Sequence, residues 1–327
     1  MAATAGDLLR LVRAGIDVRA VRARTRKPFR FLLCGDPAFV AALRALLLAG
    51  HDDGVVPVEA AATLETIDPA TPPAMTDEAR GIIYLGRRAD MATAPFSKLT
   101  VAKVPIFAVS VDEDAQPSGP QTPPGRGSWS EYVVPAISRE ALAARVFPHL
   151  IECCKGAEIA VGRNLPALRE TVAAKLTRDA ANNALKVALA SAVVDHVPVF
   201  GIVLGAIASA GDTVAITALQ MMLMLHIESA YGKDPDLGRA WQLLPVVGGG
   251  LGWRMLAREL SGFIPVAGIA IKGAIAYAGT IVVGEGVTFY YEHGRHMSGN
   301  QASAIYERTK SEAIAFARDL IDRFRNR

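Results

Sequence analysis

At 327 residues the chain is long enough for two domains that each bury a core. Half of it is apolar, with a mean hydropathy of +0.26, but only 6% is aromatic, so Ala, Val, Leu, Ile and Gly supply a mixture suited to close helix packing. Eight basic residues against Asp7 and Asp17 give the first 30 residues a charge of +6 and leave −3 for the rest, which excludes a nucleic-acid wrapper.

Residues 1–27 read as a basic amphipathic helix in which Arg10, Arg13, Arg19 and Arg22 alternate with an apolar stripe. Such a helix either lays its stripe on the next domain or meets anionic lipid headgroups. This stretch is cut every few residues by Arg and holds no uninterrupted apolar run of signal-peptide type. Three cysteines, two of them the neighbours Cys153 and Cys154, make no disulfide framework and suit a reducing compartment.

From residue 28 to 155 short apolar runs alternate with helical patterns, the signature of an α/β domain on a mostly parallel sheet. Strands are expected at 30–35, 55–60, 81–86, 104–111 and 132–137, and helices at 38–50 and 139–154. Residues 112–128 form a Pro/Gly loop.

The strand, glycine, turn and helix of "RFLLCGDPAFVAALRALLLAG" stand where a phosphate-binding loop belongs. That loop requires G-x-x-x-x-G-K-S/T, so that backbone N–H groups cradle phosphates, the Lys neutralises them and the hydroxyl holds magnesium. Counting from Gly35, those three positions are Val40, Ala41 and Ala42. Around this motif the domain resembles Era-like, translation-factor-class GTPases. In that resemblance "RGIIYLGRRAD" takes the place of the Walker B strand, Asp112 in "VSVD" that of the guanine-pairing carboxylate, and Ser138 that of the final Ser-Ala-type turn. The resemblance implies a degenerate, non-catalytic pseudo-GTPase with a vestigial site at Gly35, Asp112 and Ser138, and no bound GTP or magnesium. A residual GTP-binding protein with an atypical loop is an alternative.

Residues 157–300 are read as a helical domain and 301–327 as an amphipathic C-terminal helix. The helical domain carries one phrase twice, "VPVFGIVLGAIASAG" at 197–211 and "IPVAGIAIKGAIAYAG" at 264–279, 67 residues apart. Pro198 and Pro265 suit first helical turns. Gly201, Gly205 and Ser209, like Ala270, Ala274 and Ala278, recur every fourth residue and admit a close neighbour. Asp212 and Lys272 interrupt the apolar stretches, so two pseudo-repeated helical hairpins, buried or dipping into one leaflet, are expected rather than two spans. With Gly268 and Lys272, these prolines and glycines are the candidate packing or membrane residues.

About 176–294 resembles the bacterial family known as domain of unknown function 697, on "VPVFG", "IPVAG", "DTVAITALQMMLMLHIESAYG" and "AYAGTIVVGEGVTFYYEHG". The resemblance implies a GTPase-linked protein, often membrane-associated, peripheral or shallowly inserted at the cytoplasmic face. Its partners would be membrane lipids and a protein or second copy of the chain, with no nucleic acid; a soluble cytosolic scaffold is the alternative. His293 and His296 beside Glu292 lack a third ligand at a diagnostic spacing, so no metal is expected, and "VVGGGLGW" reads as a hinge between helices.

Overall fold

A computed structural model describes residues 16–71, 77–114, 116, 122–190, 212–247 and 267–325. The chain divides into two compact units: the first is Ala23–Lys175 with Ala230–Gly232, and the rest of the described chain forms the second.

The first unit is a five-stranded, all-parallel sheet with helices, in the order β2-β1-β3-β4-β5. The last residues of a short helix, α1 (Val18–Thr25, capped by Asp17), open this unit from Ala23 and lead to β1 (Arg30–Gly35). Then follow α2 (Pro37–Leu48), α3 (Val58–Ala62), β2 (Leu64–Thr66), β3 (Ala79–Arg87), α4 (Phe96–Leu99), β4 (Ile106–Val111) and β5 (Trp129–Val134). The unit continues with α5 (Arg139–Arg145), α6 (Phe147–Glu152), α7 (Glu158–Asn164) and the start of α8 (Arg169–Ala190).

The central strands are continuous apolar runs because both faces of the sheet are covered. Leu32, Ile82 and Ile106 lie in register and pack with Met91, Phe96 and Leu99. Leu33, Ile83 and Phe107 are in register on the opposite face and equally buried. α2 packs on β1 and β3 through its apolar stripe of Val40, Leu43 and Leu47.

Three expectations are corrected. Residues 55–60 are not a strand: Val55 and Val56 lie in an extended link and Val58 opens α3. Pro57 lacks the N–H that a ladder needs and stands just before the helix instead. The strand in this region is the three-residue β2. The helix expected over 139–154 is two, because the Pro148 ring and missing N–H start a new helix at Phe147.

The second unit holds the rest of α8, α9 (Asp212–Ala230), α10 (Leu237–Val247), α11 (Ala267–His293) and α12 (Gly299–Arg325). Here lies the third correction. From Ala267 the second apolar phrase is part of one 27-residue helix running on to His293, not a hairpin. Along it Ala274 and Ala278 are fully buried, and Ala278 and Val282 pack on Tyr306 of α12. Ala276 meets Ala184 and Ala188 of α8. The first phrase lies outside the described residues. Among the described residues no helix is long and apolar enough to cross a membrane.

Candidate functional site

In an open parallel sheet, ligands settle outside the carboxyl ends of the strands where the order reverses, here between β1 and β3. Gly35, Asp112 and Ser138 all fall on this edge: Gly35 ends β1, and Asp112 and Ser138 follow β4 and β5. The expected vestigial site is therefore brought together as an edge, and each of its members has a local structural task.

Gly35 has φ +111°, and a Cβ there would run into the Leu85 carbonyl. The next residue, Asp36, donates its N–H to that carbonyl at 2.8 Å. Its Oδ1 then accepts from Ala38 N–H at 2.8 Å and Phe39 N–H at 3.3 Å, while its own carbonyl takes the Val40 N–H at 2.9 Å. Pro37 has no N–H to give. Every backbone donor from Asp36 to Val40 is thus committed, and a carboxylate sits where the helix dipole would favour a phosphate. Val40 faces the core, while Ala41 and Ala42 are exposed and carry neither charge nor hydroxyl. The residues of this turn do not fit a magnesium nucleotide.

Asp112 pairs with Arg88 at 3.1 Å, across the ends of β4 and β3. Ser138 caps α5 by accepting the Ala141 N–H at 3.2 Å. Sequence reasoning placed both but missed Asp36, although Asp followed by Pro at a strand-to-helix turn is a recognisable cap signal.

The opposite edge has a different character. The segment entering β1, the turn after α2, and the α7–α8 junction enclose a cleft of about 670 Å³. Its lining includes Arg26, Lys27, Arg163 and Arg169 against Asp52 and Glu59. Arg169 is anchored by the carbonyls of Gly50 at 3.1 Å and Gly162 at 3.4 Å and lies 5.9 Å from the Tyr231 ring centroid. Burial lowers its pKa, Asp52 and Tyr231 oppose that, and the charges of Arg139 and Arg163 add to the lowering. Burial and the neighbouring Arg169 likewise lower His51, whose Nε2 is buried with no hydrogen-bond partner among the described residues. No short motif announces this cleft, since its walls come from four separated parts of the chain.

Among the described residues of the second unit an ion pair joins a buried carboxylate to a partly exposed guanidinium. Glu228 on α9, 2% exposed, pairs with Arg239 of α10 and accepts the Asp236 N–H at 3.1 Å. Burial raises its pKa, and the Asp236 N–H, Arg239 and Tyr291 oppose the rise. These are the tasks of a helix-to-helix clasp.

Of the other expected positions, Arg19 and Arg22 are exposed on α1, and Gly268 and Lys272 lie on α11. Arg10, Arg13, Pro198, Gly201, Gly205 and Pro265 lie outside the described residues. His293 stacks on Phe289 at 4.2 Å and His296 on Tyr290 at 5.1 Å. Among the described residues no three His, Cys, Asp or Glu side chains gather as a metal group. The chain matches no family model, no curated protein and no solved structure.

Proposed function

We propose that this chain is a non-catalytic interaction protein: a pseudo-GTPase-type α/β unit joined to a helical unit, working peripherally at the cytoplasmic face of a membrane. One observation carries the non-catalytic part, the Asp36 carboxylate seated on the first N–H groups of α2, where a GTPase holds phosphate. In this reading the α/β unit supplies a surface rather than a reaction. Titration of the full chain with a fluorescent GTP analogue and magnesium tests it. No saturable binding is expected, and micromolar binding competed by GTP would overturn it.

A soluble scaffold is the second reading, favoured by the burial of Ala274, Ala276 and Ala278 against protein helices. Flotation of the full chain with anionic vesicles at low salt separates the two: chain left at the bottom selects the soluble scaffold.

A further inference from the structure

The cleft at the amino-terminal edge of the sheet is lined by more basic than acidic side chains. Among its lining residues Arg26, Lys27, Arg163 and Arg169 outnumber Asp52 and Glu59, a formal +2 with His51 neutral. Arg26 and Lys27 are exposed, and neither side chain makes an ion pair or hydrogen bond with another described residue. Arg169 spends two of its donors on neutral carbonyls, which orient the guanidinium without cancelling its charge. Like charges held together in a half-enclosed space favour an anion of more than one charge, and guanidinium forks match phosphate oxygens.

The rim of the cleft adds an independent observation. Only five large apolar side chains stand exposed among the described residues, and three of them are Val55 at 69%, Val56 at 40% and Val58 at 81%. Val55 and Pro57 line the cleft itself. Scattered exposed valines need no explanation, but three within four residues beside a basic cavity form the pairing of apolar tip and cationic pocket that suits a lipid interface.

We propose that this cleft takes the phosphate-monoester headgroup of an anionic lipid, with Val55, Val56 and Val58 entering the boundary between headgroups and acyl chains. The proposal rests on the peripheral-membrane part of the reading above. A phosphate monoester is preferred over a diester because it offers a second negative charge and three unesterified oxygens to the cluster.

The test uses the full chain and two probes. Binding is measured to phosphatidylcholine vesicles carrying phosphatidic acid or, at matched surface charge, phosphatidylserine, and to soluble glycerol 3-phosphate by calorimetry. The expected result is a preference for phosphatidic acid of about tenfold, lost in the Arg26→Glu, Lys27→Glu double variant. Arg19→Glu with Arg22→Glu makes the same charge change on α1; it lowers overall vesicle binding but keeps the preference. Val55→Ser with Val58→Ser weakens vesicle binding and leaves glycerol 3-phosphate binding unchanged. If the wild type binds vesicles and the Arg26, Lys27 variant keeps the preference, the cleft is overturned while the membrane reading stands. If no anionic vesicle is bound, the membrane reading and the lipid source both fail. In that event, binding of glycerol 3-phosphate that depends on Arg26 and Lys27 assigns the cleft to a soluble phosphate monoester, and its absence overturns the site altogether.

Discussion

Gly35 and Leu85 face each other across β1 and β3 with no room for a single methyl group between them: a Cβ on Gly35 would overlap the Leu85 carbonyl oxygen. The same oxygen accepts the Asp36 N–H at 2.8 Å, so the turn is sewn to the neighbouring strand at the point where the sheet order reverses. At φ +111° only glycine is at ease. Gly35→Ala is expected to cost about 3 kcal/mol, combining left-handed strain with displacement of β3. Urea denaturation followed on the α/β unit measures it, and an unchanged midpoint would contradict the packing described.

Asp36→Ala removes the acceptor for Ala38 and Phe39 and should cost about 1 kcal/mol, whereas Asp36→Asn keeps most of the cap. Neither variant gains GTP affinity, because Val40, Ala41 and Ala42 still offer no cation or hydroxyl. Paired denaturation curves and nucleotide titrations of both variants check this; restored magnesium-dependent binding in Asp36→Ala would mean that the carboxylate alone closes the site.

How far the sequence spoke depended on how local each cause is. β1 and α2 were legible because the run from Phe31 to Cys34 ends at a glycine and the apolar helical spacing that follows stops near Gly50. Residues 55–58 have a strand's composition, but composition does not supply a hydrogen-bonding partner, and Pro57 refuses one. β2 is three residues long, too short for an alternation to register. In α11 the second apolar phrase was expected to fold as a hairpin on the strength of Lys272, yet it runs through one helix with glycines 279, 284 and 286 mid-helix. The reason at Gly284 is tertiary, since a Cβ there would run into Thr177. The basic cleft was illegible for the same reason: residues 26–27, 51–59 and 163–169 meet only once the sheet has formed.

The clasp at Glu228 gives a pH dependence. Burial raises this carboxyl above its unfolded value, so the folded state holds the proton over a range where the unfolded chain has lost it. Its contribution to stability is therefore greatest below the unfolded pKa and falls as pH rises toward the folded one. Arg239→Met removes the main cationic counterweight and widens that window upward. At neutral pH the variant should lose about 2 kcal/mol, less than the ~3–5 kcal/mol of a wholly buried pair because the Arg239 side chain is 41% exposed. Denaturation across a pH series should show the deficit shrinking toward acid, and a deficit independent of pH would contradict the assignment.

Gly284 of α11 lies so close to Thr177 of α8 that a Cβ on the glycine would fall on the threonine side chain. In an isolated helix Gly284→Ala would gain about 1 kcal/mol from propensity alone. Here the new methyl meets the Oγ1, Cγ2 and Cβ of Thr177, which is only 4% exposed and has little freedom to move. The single substitution should destabilise by about 2 kcal/mol. Adding Thr177→Ala should recover at least half of that, a coupling a double-mutant cycle reads directly. Additive effects would mean that the two helices are not in contact at this point.

The three thiols should separate by reactivity. Burial pushes Cys34 up to about 12. Cys154 is fully buried and is also pushed up, by burial first and then by Cys153, with its Sγ 3.2 Å from the Leu150 carbonyl. Cys153 is raised only to about 11 and remains partly accessible at the end of α6. A thiolate is the reactive form, so accessibility and pKa point the same way. Maleimide labelling of the native chain, read by peptide mass spectrometry, should modify Cys153 first and reach Cys34 and Cys154 only on unfolding. Because Cys34 lies in β1 one residue before Gly35, its labelling rate also reports how often the strand that carries the closed phosphate turn opens; rapid labelling under native conditions would contradict a rigid, self-capped turn.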